Sequence, residues 1–186
     1  IVSYGYVNGI TIVGNNISMK SAAMYTYGID LTIYTPHWGP QGETNPNDIY
    51  IADNDISIDS SSASGMGEGM YLDSLTNAVI ENNKIYVHTV GDAANYGMQL
   101  SDSCAFNYMG DDEAISPFNV TIKDNNFIDN SAQSAGAVVI YSKDSVIENN
   151  NFTGNNATRY GGGALVSGGA NNTIFNNSFE NNSAML

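Results

Sequence analysis

Residues 146–152 read Val-Ile-Glu-Asn-Asn-Asn-Phe, and near-copies of this stretch occur six times along the chain. Each copy has an Ile, an Asn three positions later, and a second apolar residue two positions beyond the Asn. The copies are Ile12/Asn15/Ile17, Ile51/Asn54/Ile56, Ile80/Asn83/Ile85, Ile122/Asn125/Phe127, Ile147/Asn150/Phe152 and Ile174/Asn177/Phe179. Internal repeats with periods of about 20–50 residues are typical of solenoids, propellers and arrays, so this repeat decides the fold class.

A second repeated element, a Gly followed by apolar residues in alternation, precedes five of the six copies. It begins at Gly28, Gly69, Gly97, Gly136 and Gly163, with Gly5 as a weaker first copy. The distance from this Gly to the next repeat Ile is 11 residues in three coils, for example from 69 to 80, but longer from 28 to 51 and from 97 to 122. The spacing therefore predicts a period of about 27 residues, with insertions at 33–48 and 102–117.

Each period holds short stretches with period-2 alternation, separated by Gly, Asn, Asp and Ser, and no window has the 3.6-residue period of a helix. Propeller blades need about 40–50 residues, and the Leu-rich frame of leucine-rich repeats is absent. We therefore predict an all-β chain, a parallel β-helix of about six coils without significant helix. Residues 1–186 should form one β-helix segment, and because the chain starts and stops within its repeat we expect a longer parent.

The repeat Asn has a structural explanation in such a fold. Equivalent residues of successive coils stack, so their side-chain amides can hydrogen-bond as a ladder, and Asn tolerates the left-handed backbone of a sharp turn. We interpret the ladder residues as scaffold. They are Asn15, Asn54, Asn83, Asn125, Asn150 and Asn177.

Composition excludes several functions. With 5 Lys plus Arg against 19 Asp plus Glu, the net charge is −14, which disfavours a nucleic-acid partner. No apolar run approaches the length of a membrane helix. Cys104 is the single cysteine, so no disulfide can form within the chain. Asn-x-Ser/Thr sequons, possible glycosylation sites compatible with a surface location, occur at Asn16, Asn119, Asn151, Asn156, Asn171, Asn176 and Asn181.

Several motifs carry a family resemblance. Phe127-Ile-Asp-Asn130, Phe152-Thr-Gly-Asn155 and Gly162-Gly-Ala-Leu165 resemble the F-x-x-N and G-G-A-[ILV] repeats of chlamydial polymorphic outer-membrane proteins. The Asn-rich coils, such as Asn171-Asn-Thr-Ile-Phe-Asn-Asn-Ser178, also resemble the adhesin-like surface proteins of methanogenic archaea. The resemblance is closest over 118–186. It implies a right-handed, pectate-lyase-like β-helix exposed at a cell surface, and it specifies no ligand.

A binding site is predicted where the two insertions leave the repeat, because insertions project from a solenoid without disturbing the stack. Alternation places Asp30, Tyr71 and Gln99 outward in one row, next to Asp73. With aromatic residues of the insertions, this face would suit a sugar, although an ordinary solvated sheet face has the same pattern. The predicted ligand-binding residues are Asp30, His37, Trp38, Tyr71, Asp73, Gln99 and Tyr108.

An acidic run in the second insertion could offer oxygen ligands to Ca²⁺, although its spacing matches no EF-hand. The candidate ligands are Asp102, Asp111, Asp112 and Glu113. No other cofactor is predicted, and His37 and His88 lie in different coils without a partner at zinc-site spacing.

The favoured function is an adhesin-like structural or binding module that recognises a glycan or protein partner on a cell surface. A carbohydrate-active enzyme, a polysaccharide lyase or a glycoside hydrolase, is the alternative and would use Asp30, Asp73 or Asp111, the first two as paired carboxylates. A viral tail spike shares the fold. Apolar residues at presumed outward positions, Val138, Ile140 and Leu165, further predict that the C-terminal half contacts another chain or more of its parent.

Overall fold

The structure, a computed structural model, describes residues 1–4, 8–32, 47–61, 66–90, 96–101, 117–134, 136–160 and 164–185. These residues form short strands. In chain order the strands are β1 (Val2–Tyr4), β2 (Thr11–Val13), β3 (Asn16–Ser21), β4 (Tyr25–Thr32), β5 (Tyr50–Ala52), β6 (Asp55–Ser60), β7 (Met66–Asp73), β8 (Val79–Glu81), β9 (Lys84–Thr89), β10 (Tyr96–Ser101), β11 (Thr121–Lys123), β12 (Asn126–Ile128), β13 (Ser131–Ser134), β14 (Val138–Lys143), β15 (Val146–Glu148), β16 (Asn151–Thr153), β17 (Asn156–Tyr160), β18 (Leu165–Ala170), β19 (Thr173–Phe175), β20 (Ser178–Glu180) and β21 (Ser183–Ala184).

The strands pair in parallel into three six-stranded sheets and one of three strands, and each coil contributes one strand to each large sheet. Sheet A contains β1, β4, β7, β10, β14 and β18; sheet B contains β2, β5, β8, β11, β15 and β19; sheet C contains β3, β6, β9, β12, β16 and β20; sheet D contains β13, β17 and β21. The prediction of an all-β, right-handed parallel β-helix of about six coils is confirmed.

The core consists of columns of like residues, because equivalent positions stack from coil to coil. Ile56 and Ile85 pair in register and lead to Phe127, Phe152 and Phe179. The three Phe rings are stacked, with centroids 5.0 and 4.8 Å apart and planes within 8° and 3° of parallel. Burying one such ring contributes about 1.5–3 kcal/mol by the hydrophobic effect.

The asparagine ladder is present along all six coils. At its centre, Asn83 donates from Nδ2 to the Asn125 Oδ1 at 3.0 Å and to the Ile51 carbonyl oxygen at 3.0 Å. Its own Oδ1 accepts from the backbone N–H and the side-chain amide of Asn54 at 3.0 and 2.9 Å. Each amide thereby satisfies buried backbone groups of the neighbouring coils, so the ladder is scaffold, as predicted.

The predicted left-handed backbone lies one residue earlier than expected. At each of these turns the residue that precedes the ladder Asn has a positive φ; these residues are Gly14, Asp53, Asn82, Asp124, Asn149 and Asn176. The ladder Asn itself is not among the positive-φ residues. The left-handed residue makes the turn, and the next residue is therefore free to point its amide inward along the stack.

A second ladder was missed by the sequence analysis. Asn130 donates to the Asn155 Oδ1 at 2.8 Å, and Asn155 donates to the Asn182 Oδ1 at 2.9 Å. These residues end the Phe-x-x-Asn motifs that carried the family resemblance. Their signal was in the sequence, and the physical reason is the one that applies to the first ladder.

A glycine column forms the corner that precedes the inner face of sheet A. A Cβ on Gly28 would lie 2.6 Å from the Gly69 carbonyl oxygen, and one on Gly69 would lie 2.5 Å from the Gly97 carbonyl oxygen and 2.6 Å from Ile85. The missing side chains therefore point into the core. Because the following residues, Ile29 and Met70, are also core residues, two successive positions face inward at this corner.

The predicted outward positions in the C-terminal half are wrong by one residue. Val138 pairs with Met98, and Ile140 pairs with Leu100, so both are fully buried in the core. The equivalent of Gly97 is consequently Ala137 and not Gly136. Leu165 is half-buried and packs against the core, so these residues give no support to the predicted contact of this half with another chain.

The last coil contacts described residues on one side only. Its core-type residues Ile174 and Phe179 are exposed at 46% and 51%. Within the described ranges, the structure contains no helix of the length and apolarity that a membrane span requires.

Candidate functional site

The outer side of sheet A brings together tyrosines and carboxyl groups from adjacent coils. Asp30 pairs in register with Tyr71, and Tyr71 pairs with Gln99, which confirms that these three residues form one row. Asp73 follows Tyr71 by two residues on the same side of β7. We define the acidic face as Tyr27, Asp30, Glu68, Tyr71 and Asp73.

The acidic face is not an ordinary solvated sheet surface. Asp30 and Asp73 are each only 3% exposed, although both occupy outward positions. Thr32 donates a hydrogen bond to Asp30 from the same strand. Buried carboxyl groups are costly to place and need a compensating interaction, so their retention at one location marks this face as a candidate site.

Glu68 is the functional candidate that sequence reasoning missed. Strict alternation from Met70 and Leu72 assigns Glu68 to the core side. The inward bend at Gly69 breaks this alternation, so that Glu68 lies outward between Tyr27 and Tyr96 of the neighbouring strands. The outward position of Glu68 could be predicted only by knowing that two successive residues face the core at this corner.

Glu68 has an unusual electrostatic environment. Its side chain is 0% exposed, and neither of its carboxyl oxygens has a hydrogen-bond partner. Burial, followed by the negative charges of Asp73 and Asp30, raises the pKa of Glu68 well above its ordinary value. All of these causes disfavour the charged form, and among the described residues no positive charge opposes them.

Asp73 is perturbed in the same direction. Burial and the charge of Asp30 raise the pKa of Asp73 from 3.8 to about 7, against hydrogen bonds from Tyr71 and Ser101 that lower it. Its Oδ1 has no partner. The Gln99 amide donates to the Ser101 hydroxyl at 3.0 Å, so the predicted row residue Gln99 is linked to Asp73 through Ser101.

Three tyrosines form a continuous aromatic surface beside these acids. The rings of Tyr25 and Tyr27 are stacked with centroids 6.4 Å apart, and those of Tyr27 and Tyr71 are stacked at 5.3 Å. Tyr96, in the next coil, is half-buried, and burial with the nearby charge of Glu68 raises its pKa. The tyrosines supply apolar contact surface, and the carboxyl groups supply hydrogen-bonding atoms and negative charge.

Next to sheet A lie the N-terminal ammonium of Ile1, which donates to the Gly28 carbonyl oxygen at 2.7 Å, and Lys143 at the end of β14. The ion-paired lysines lie on other sheets. Lys84 pairs with Asp55 at 3.9 Å on sheet C, and Lys123 pairs with Glu81 at 2.8 Å on sheet B. The other cations are Lys20, Lys143 and Arg159. Both insertions lack Lys and Arg, so the sequence offers no lysine or arginine from them to neutralise the acidic face.

Several predicted site residues lie outside the described residues. They are His37, Trp38, Tyr108 and the proposed Ca²⁺ ligands Asp102, Asp111, Asp112 and Glu113. Among the residues that the structure describes, no group of three His, Cys, Asp or Glu side chains is arranged to hold a metal ion.

The sequons all lie in described segments. Asn16, Asn119, Asn171, Asn176 and Asn181 are exposed, whereas Asn151 and Asn156 are half-buried. Their modification stays a prediction. None of them lies on the strands β4, β7 and β10 that carry the acidic face.

Fold and site together define a parallel β-helix in which one sheet carries a tyrosine-lined, acidic outer face. The family model for right-handed β-helix regions matches residues 1–179, and the chain therefore belongs to that family. No match was found among curated proteins or among solved structures. The family is compatible with adhesins and with polysaccharide lyases or glycoside hydrolases, so the function must be argued from the site.

Proposed function

We propose that the protein is an extracellular, adhesin-like binding module that recognises a glycan through the acidic face of sheet A. The observation that carries the proposal is the stack of Tyr25, Tyr27 and Tyr71 beside buried carboxyl groups. Flat aromatic surfaces bind the apolar faces of sugar rings, and a few placed polar groups fix their orientation. The resemblance to surface adhesins supports the location of such a module outside the cell.

The proposal is tested on a glycan array with the 186-residue protein. Tyr71→Ala is expected to reduce binding at least tenfold, because Tyr71 stacks on Tyr27 and lies between Asp30 and Gln99 in the outward row. Tyr50→Ala is the matched control, since Tyr50 is an exposed tyrosine on sheet B whose loss should leave binding unchanged. Absence of any bound glycan, or equal losses in both variants, would contradict the proposal.

Glycoside hydrolysis is the second candidate, and the pKa of Asp73 favours it. A carboxyl group that is protonated near neutral pH can act as a general acid. Asp30 lies one strand and two residues away, which places the two Cα atoms about 8 Å apart. Inverting glycosidases use carboxyl pairs about 6.5–9.5 Å apart. If the protein releases new reducing ends from the bound glycans and Asp73→Asn does not, the function is hydrolysis and not binding alone.

A further inference from the structure

We propose that the acidic face selects glycans that carry protonated primary amines, such as polymers of unacetylated amino sugars. The inference rests on the proposed function and names the substrate class of the same site. It is carried by a buried carboxyl group, Glu68, that lies in register with Tyr27 and Tyr96 and receives neither a hydrogen bond nor a counter-charge from the described residues.

Glu68 receives no counter-charge from the described residues. Glu68 and Asp73 together present three oxygens that are buried and without a hydrogen-bond partner. The charges that act on Glu68 are those of Asp73 and Asp30, which are both negative. A buried carboxylate is ordinarily accompanied by a cation or by several hydrogen-bond donors. Here neither is supplied to Glu68 by the described residues.

The described surroundings of Glu68 favour one kind of cation, an organic ammonium. The described residues do not form a three-ligand metal site, and the residues in register with Glu68 on both sides are the tyrosines Tyr27 and Tyr96. An organic ammonium is held well by such a combination, because aromatic faces attract a cation and an ionised carboxylate nearby attracts it electrostatically. A sugar that carries the amine also matches the stacked tyrosines.

The net charge of the chain excludes acidic glycans. A chain of net charge −14 with no Lys or Arg in its insertions would repel a polyuronate. The same charge attracts any polycation over long distances, so the experiment must separate the acidic face from general attraction.

Calorimetry at pH 5.5 and 150 mM salt would compare a β-1,4-linked glucosamine hexamer with the fully N-acetylated hexamer of the same backbone. We expect the amine-bearing hexamer to bind at least tenfold more tightly. Glu68→Gln should weaken its binding at least tenfold, because the variant keeps the shape but cannot release a proton and become a carboxylate when the ammonium binds. Glu180→Gln, which removes one exposed charge from β20, should leave the affinity unchanged. Asp73→Asn is the second variant, and it should lose affinity as Glu68→Gln does.

The outcomes separate the inference from the proposed function. Equal affinity for both hexamers would overturn the amine preference and leave glycan binding intact. Equal losses of affinity in Glu68→Gln and Glu180→Gln would show that the overall negative charge of the protein causes the binding. This result would overturn the assignment of binding to the acidic face. Hexalysine is the third probe. If it binds as tightly as the glucosamine hexamer with the same dependence on Glu68, the occupant is a cationic peptide and the glycan assignment is wrong.

Proton exchange gives an independent readout. An ammonium ion at the acidic face favours the charged forms of Glu68 and Asp73, so binding at pH 5.5 should release protons. Calorimetry in two buffers of different ionisation enthalpy measures this release, which Asp73→Asn should diminish. Tight binding without proton release would contradict the role of these carboxyl groups.

Discussion

Asp73→Asn is expected to stabilise the protein by roughly 2–4 kcal/mol at pH 8 and to have little effect near pH 4. Burial and the charge of Asp30 raise the pKa of Asp73 from 3.8 to about 7 in the folded protein. The folded state therefore binds more protons than the unfolded state between these values, and the free energy of unfolding falls as the pH rises through this window. Above pH 7 the cost is complete, and Asn avoids it with nearly the same shape.

The measurement is urea unfolding of both proteins at several pH values from 4 to 8. Glu180→Gln serves as the control, because this exposed side chain should change the stability by no more than about 0.5 kcal/mol. If Asp73→Asn is destabilising at pH 8, or if its effect is the same at pH 4, the acid is not strained and the description of the acidic face fails.

Asn83→Ala is expected to destabilise the protein by at least about 3 kcal/mol. The Asn83 side chain accepts two hydrogen bonds from Asn54 and donates to the Ile51 carbonyl and to Asn125, all in the buried interior. Its removal leaves several buried donors and acceptors unpaired, each at a cost of about 1–3 kcal/mol. The loss should also spread along the helix, because each amide orients the next one.

Asn126→Ala provides the comparison. Asn126 is exposed at the start of β12 and follows the ladder residue Asn125 directly. Its replacement should change the free energy of unfolding by about 0.5 kcal/mol or less. Similar effects of Asn83→Ala and Asn126→Ala in thermal or urea unfolding would show that the ladder is not a principal source of stability.

Most of the fold could be predicted from the sequence because a solenoid repeats its local physics. One Ile-x-x-Asn-x-apolar unit specifies a turn, a ladder position and a core position, and six copies fix the register of the stack. The errors arose where a rule for regular strands or turns was applied without allowing for the geometry of the corner between two strands of a coil. The left-handed turn residue is Asn82 and not Asn83. Gly97 is equivalent to Ala137 and not to Gly136, so Val138 lies in the core.

The site was predicted in part. Asp30, Tyr71 and Gln99 do form a row, since alternation is reliable within a regular strand. Glu68 was missed because the bend at Gly69 reverses the alternation one residue earlier. The burial of Asp30 and Asp73 also could not be predicted from the sequence, because an outward carboxylate is ordinarily solvated. Whether an outward position is exposed depends on what covers it, and no local pattern encodes that.

The Asn ladders and the acidic face thus have opposite energetic roles. The ladders satisfy buried polar groups and stabilise the stack. On the acidic face, Glu68 is buried without a cation from the described residues, at a cost to stability that a cationic ligand would offset. Natural proteins retain such local conflicts mainly at functional sites.

The most direct test of this account is the titration of the Asp73 side-chain carboxyl carbon, followed by ¹³C NMR from pH 3 to 9 and assigned with Asp73→Asn. We expect the free protein to give an apparent pKa near 7 for this group, because its burial and the charge of Asp30 disfavour ionisation. An apparent pKa near 4 would show a solvated or compensated carboxylate and would contradict the central claim that burial and neighbouring negative charge keep this acid protonated near neutral pH.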